Sequence, residues 1–124
     1  MPTILAVDDN PDNLELLQQI LEDEYDIILA SGGAECIRCA TERQPAVIIL
    51  DVKMPEMDGY EVFQQLKEDE RTREIPVIFL SARYRDPDRV VRGLEMGAVD
   101  YITKPIADDV LFAKIRLAIG EPAK

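Results

Sequence analysis

The sequence predicts an α/β domain in which five strand-helix units build one parallel sheet with helices on both faces. Short runs rich in Val, Ile and Leu alternate along the chain with segments whose apolar residues fall at helical spacing. One run, Val47-Ile48-Ile49-Leu50, is apolar at every position, which marks a strand covered on both faces. It stops at a single carboxylate, Asp51, and a loop carrying Pro55 and Gly59 follows. A charge at the carboxyl end of a central strand sits where open α/β sheets hold their ligands.

The elements follow in order. Thr3-Ile4-Leu5-Ala6-Val7 reads as the first strand and delivers Asp8 and Asp9 at its carboxyl end. Asn10 suits a helix N-cap and Pro11 the first helical position. Leu14, Leu17, Ile20 and Leu21 then carry the first helix to about Asp23. Tyr25 to Ala30 is the second strand. Ser31-Gly32 opens a second helix with Ala34, Cys36, Ile37 and Ala40 inward, and Pro45 blocks its continuation.

After the third strand, Asp58-Gly59 starts the third helix, with Val62, Phe63 and Leu66 inward and Asp58 as its cap. Pro76 to Leu80 is the fourth strand, ending at Ser81. A polar loop leads into a fourth helix with Val90, Val91 and Leu94 inward and Gly97 at its C-cap. The fifth strand falls around Val99 to Thr103, before Lys104-Pro105. The fifth helix runs from about Asp108 to Ile119, where Gly120-Glu121-Pro122 stops it. Strands alternating with helices imply right-handed crossovers and the flavodoxin-like, doubly wound order 2-1-3-4-5.

Composition narrows the function classes. A chain of 124 residues, 47% hydrophobic and 31% charged, is of one-domain size. Its apolar runs are too short to cross a bilayer and no leader-like segment opens it, so a cytoplasmic protein is expected. The net charge of −11 disfavours direct nucleic-acid binding and suits divalent cations or a basic partner. Cys36 and Cys39 form a C-x-x-C, a spacing shared by redox pairs and half zinc sites. With no other cysteine and no histidine in the chain, the favoured reading is two thiols packed on one helix face. The lack of histidine also means that this chain cannot carry a phosphohistidine itself.

In the expected strand order the first and third strands are neighbours, so Asp8, Asp9 and Asp51 meet at one sheet edge. Ser81 and Lys104 arrive from the next two strands. Like charges about 4 Å apart cost on the order of 4 kcal/mol at an effective dielectric near 20, so the acids call for a cation. Mg²⁺ accepts one or two carboxylates and keeps its remaining positions for water and phosphoryl oxygens. An ionised Asp51 beside such an ion can act as a nucleophile and form an aspartyl phosphate. A lysine and a hydroxyl would share the charge of the transferred group.

These parts together resemble a response-regulator receiver domain of two-component signal transduction. The marks are Val7-Asp8-Asp9, the stretch Asp51-Val52-Lys53-Met54-Pro55-Glu56-Met57-Asp58-Gly59, Ser81-Ala82, and Asp100-Tyr101-Ile102-Thr103-Lys104-Pro105. The resemblance spans Ile4 to about Ile119. It implies that Asp51 accepts a phosphoryl group from a phosphohistidine on a sensor histidine kinase or histidine phosphotransfer protein. Asp9, Asp51 and the backbone carbonyl of Lys53 would bind Mg²⁺, with Asp8 acting through water. Lys104 would pair with the phosphoryl group, and the peptide bond to Pro105 would be cis.

The resemblance further implies a switch. Ser81 would move toward the phosphoryl group, while Tyr101 would turn from an exposed to a buried position. The output face would be the fourth helix, fifth strand and fifth helix, with Phe112 and Ile119 as contact or core residues. Phosphorylation-dependent homodimers are a further expectation. Such a domain catalyses its own phosphorylation and dephosphorylation without being a turnover enzyme on an external substrate. Lys53 and Arg83 flank the path of an attacking water, and Lys53→Ala is expected to change the lifetime of the phosphoryl group. Residues 1–119 are expected to form the receiver unit and residues 120–124 a tail or the start of a linker.

Other function classes fit less well. A receiver-like interaction module that is not phosphorylated should have lost part of the acid, hydroxyl and lysine set, which is complete here. A phosphatase of the haloacid dehalogenase type wants a second acid two residues past the nucleophile, where this chain has Lys53. A flavin carrier would need a phosphate loop after the first strand, and none is present.

Overall fold

The computed structural model describes residues 1–81, 100–103 and 106–120. Five strands, β1 (Thr3–Val7), β2 (Asp26–Ala30), β3 (Val47–Asp51), β4 (Val77–Ser81) and β5 (Asp100–Thr103), form one sheet in the order β2-β1-β3-β4-β5. Every neighbouring pair is parallel, as the alternation of strands and helices requires. Helices α1 (Pro11–Leu21), α2 (Gly33–Arg43), α3 (Gly59–Glu68) and a last helix, Asp108–Ile119, accompany the strands. The predicted helix around Val90, Val91 and Leu94, with Gly97, lies outside the described residues, as do Arg83, Lys104 and Pro105.

The two-residue period of the strands divides the core into two layers. Leu5, Val7, Ile48, Leu50, Val77 and Phe79 pack against α2 and α3. Ile4, Ala6, Val47, Ile49, Ile78 and Leu80 point the other way, against α1 and the last helix. A large side chain fully removed from water contributes about 1.5–3 kcal/mol, and both faces of β3 are buried this way. The central strand is therefore rigidly held, and with it Asp51.

Local chemistry explains most boundaries. The Asn10 side chain accepts from the Asp12 amide at 2.9 Å, and Pro11 occupies the first turn of α1. Asp58 and Glu61 form a reciprocal capping box at the start of α3. β2 begins at Asp26 because the Tyr25 amide still donates to the Leu21 carbonyl, closing the turn that ends α1. β4 begins after Pro76, which has no amide to donate, although its carbonyl accepts from Ile48. At the end of α2, Gln44 takes a left-handed conformation, φ 48°, and its side chain reaches the Ala40, Thr41 and Arg71 carbonyls.

The cysteines follow the packing reading. Cys36 is fully buried between α2 and the sheet, and Cys39 packs half-buried beside the same layer. Burial, assisted by the neighbouring Cys39, pushes the Cys36 thiol from 9.0 up to about 12. A thiol raised in the fold stays protonated there after its unfolded counterpart ionises. Cys36 thus contributes stability below about pH 9 that is lost as pH climbs toward 12. Denaturation midpoints should fall over that interval in the native sequence and fall less in Cys36→Ala. A midpoint curve unchanged by the substitution would contradict the assignment.

Phe112 and Ile119, left between contact and core roles by the sequence, both pack half-buried on the α1 side of the sheet. The Phe112 ring lies 6.4 Å from that of Tyr25 and under the Arg116 guanidinium at 5.5 Å. The large exposed apolar side chains of the last helix are instead Val110 and Leu117.

Candidate functional site

The carboxyl edge of the sheet gathers the predicted acids. Val7 of β1 pairs with Leu50 of β3, so the next residues along each strand, Asp8 and Asp51, leave the sheet at the same level. Carboxylate oxygens of Asp8, Asp9 and Asp51 lie within 4.8 Å of one another. Asp8 is 1% and Asp51 5% exposed, while Asp9 faces solvent. The cluster is thus buried at its base and open at one side.

Asp8 is held from α1. Its two oxygens accept from the Asn10 amide and from Asn13 Nδ2, each at 3.0 Å, and its own amide donates to the Ala30 carbonyl. The sequence reading missed Asn13. Its only signal was a short amide side chain in the first turn of the helix that follows the acid pair. Lys53 lies exposed just beyond Asp51, in the loop whose Glu56 adopts a positive φ of 70°.

Gly59 is a second residue whose role the sequence did not reveal. Its amide donates to the Val52 carbonyl at 2.8 Å. A Cβ at this position would lie 2.5 Å from the Asp51 carbonyl oxygen and 2.9 Å from Val52 Cα. Only a residue without a side chain lets α3 start against the backbone that carries the acid.

Ser81 ends β4, next to Leu80, the register partner of Asp51. Its Oγ is buried and has no hydrogen-bond partner among the described residues. Leaving a buried hydroxyl unbonded costs about 1–3 kcal/mol, and such a group marks a place where a further acceptor belongs. Ser81 pairs in register with Thr103, the residue before Lys104.

Tyr101, expected to move between an exposed and a buried position, occupies the buried one. Its ring centroid is 5.2 Å from that of Phe79, and its hydroxyl shares a 2.9 Å hydrogen bond with that of Tyr60 on α3. Burial first, and then the Tyr60 hydroxyl, hold the Tyr101 phenol above its ordinary range. Lys114 of the last helix donates to Asp100 Oδ1 and to the Tyr101 carbonyl, both at 2.8 Å, and so ties down the backbone beneath this ring.

Three acids and a hydroxyl without a partner among the described residues at the carboxyl edge of the sheet, with a buried tyrosine on β5, agree with the family suggested by the motifs. The profile of the response regulator receiver domain matches residues 4–116. The chain belongs to that family. This receiver domain is 45% identical over 114 residues to the response regulator PleD of Caulobacter vibrioides, covering 91% of this chain and 25% of that protein. It is 40% identical to a probable cyclic di-GMP phosphodiesterase of Vibrio cholerae, over 91% of this chain and again 25% of the relative. The chain spans about a quarter of the length of these relatives. Among solved structures, the signal receiver domain of a signal transduction histidine kinase from Syntrophus aciditrophicus superposes with a TM-score of 0.86 at 42% identity, covering 97% of this chain and 91% of that one. The receiver fold and its place in two-component signalling follow from these similarities.

Proposed function

We propose that this receiver domain is a phosphoryl-accepting switch with Asp51 as the acceptor. The observation that carries the reading is the convergence of Asp8, Asp9 and Asp51 within 4.8 Å at the carboxyl edge of the sheet. Their mutual repulsion fits a hard divalent cation, and an all-oxygen donor set selects Mg²⁺ over softer metals. Asp9 and Asp51, with the Lys53 carbonyl, would hold the ion, and Asp8 would act through water. When bound, the ion supplies charge neutralisation for the incoming phosphoryl oxygens.

The chain's own residues do the rest. A carboxylate oxygen of Asp51 attacks phosphorus, the N–P bond of a phosphohistidine on the partner breaks, and an acyl phosphate forms as the imidazole leaves. The fully packed β3 gives Asp51 a fixed place, and positioning is the main requirement of phosphoryl transfer. Ser81 Oγ, buried and without a partner among the described residues, supports a donor role toward one phosphoryl oxygen. Lys104 is assigned the complementary charge.

The donor is a sensor histidine kinase or histidine phosphotransfer protein, and the output is read from the face of β5 and its flanking helices. Phosphorylation-dependent homodimerisation is one form that output can take. In this reading residues 1–119 form the receiver unit, residues 120–124 lead away from it, and turnover of an external substrate is not its task. The domain does not itself bind nucleic acid, in keeping with a net charge of −11. Among the described residues no helix is long and apolar enough to cross a membrane, in keeping with action in the cytoplasm.

Intact mass after incubation with acetyl phosphate tests the reading. One phosphoryl adduct is expected with Mg²⁺ and none without it. No adduct under either condition would favour a receiver-like interaction module that is not phosphorylated.

A further inference from the structure

We propose that Tyr60 is the positioning residue that holds Tyr101 in its buried place, so that α3, as well as the Ser81 strand, sets the switch. The inference rests on reading Tyr101 as the switch residue of this receiver domain. Its geometric basis is a cluster of four aromatic rings on the α3 side of the sheet. Phe79 of β4 sits at the centre, with Tyr60, Phe63 and Tyr101 at centroid distances of 5.0, 5.4 and 5.2 Å. Phe63 and Phe79 offer no polar atom, so a tyrosine turned into this cluster needs a partner for its hydroxyl. Tyr60 provides one at 2.9 Å, from an element remote in sequence.

The position of Tyr60 gives the bond a second meaning. It directly follows Gly59, whose Cα lies against the backbone of Asp51 and Val52 with no room for a side chain. The start of α3 is therefore in contact with the acceptor strand at one residue and with Tyr101 at the next. A shift of the acceptor backbone is transmitted to the Tyr60 hydroxyl through one peptide unit. The Lys114 contact with the Tyr101 carbonyl keeps the β5 backbone in place, so the response falls on the side chain. The Tyr101 phenol, held above its ordinary range by burial and then by the Tyr60 hydroxyl, agrees with a hydroxyl kept out of water.

The test uses the full chain with ring-labelled tyrosine and NMR at neutral pH. The chain has four tyrosines and no tryptophan, so the Tyr101 signals can be assigned by single substitution. Tyr60→Phe keeps the ring and its packing on Phe79 and removes only the hydroxyl. Losing one neutral hydrogen bond should raise the exposed-to-buried ratio of Tyr101 by roughly threefold to tenfold. That change is read as weaker ring contacts to Phe79 and stronger relaxation by a soluble paramagnetic probe. A purely structural role for Tyr60 would leave both readouts where they are in the native sequence, and that result overturns the proposal.

Intact mass with acetyl phosphate and Mg²⁺ is measured on the same samples. A normal adduct with Tyr101 unmoved in Tyr60→Phe removes the latch and keeps the phosphoacceptor reading. No adduct with Tyr101 released removes that reading and keeps the latch.

Discussion

Asp51→Asn is expected to abolish the phosphoryl adduct outright. An amide matches the carboxylate in shape but has neither its charge nor its nucleophilic oxygen, so the buried position stays filled while the chemistry is lost. The same variant should respond less to Mg²⁺. A cation that binds only the folded chain stabilises it by about 1.4 kcal/mol at ten times its dissociation constant. Removing one of the three acids within 4.8 Å weakens that site, so the Mg²⁺-dependent rise in denaturation midpoint should shrink at equal concentration. An undiminished adduct in the variant would place the acceptor elsewhere. An unchanged Mg²⁺ response would take Asp51 out of the cation site.

Gly59→Ala should be the most damaging single-methyl change near the site. The new Cβ would sit 2.5, 2.9 and 3.2 Å from the Asp51 oxygen, Val52 Cα and the Asp51 carbonyl carbon. These are backbone atoms of a fully packed strand, so no rotamer change can relieve the overlap. Either α3 lifts off or the end of β3 moves, and overpacking of this kind costs about 1–3 kcal/mol. The 2.8 Å bond from the Gly59 amide to the Val52 carbonyl stretches with it. Because the displaced carbonyl belongs to Asp51, the rate of adduct formation should fall about tenfold or more, as a misplaced reacting group predicts. Gly32→Ala is the control, since a Cβ there meets nothing within 4 Å; as the N-cap of α2 it should lose no more than about 1 kcal/mol of stability and keep the native adduct rate. Equal midpoints and equal adduct rates for the two variants would refute the close-approach argument.

The strand signals were legible because a parallel sheet buried on both faces leaves a plain record. The uninterrupted Val47-Ile48-Ile49-Leu50 run has no other economical use in a chain of this polarity. The acids at strand ends were legible for a related reason, since charge directly after such a run must emerge at the sheet edge. Caps at Asn10 and Asp58 are local hydrogen-bond chemistry, and they appear as read.

What the sequence by itself determined, then, was the alternation of elements, the strand order and the identity of the acids that converge. The alternation rests on periodicity, and the strand order and the meeting of the acids follow from the general rules for parallel sheets built of alternating strands and helices. Only the tertiary structure decided that Gly59 must be bare, that Asn13 holds Asp8, and that Tyr101 lies buried against Phe79 with Tyr60 as its partner. The bond between Tyr60 and Tyr101 joins residues 41 positions apart. Its existence depends on how closely α3 approaches β5 across the sheet, a distance set by the packing of Phe63 and Phe79 and written in no local pattern.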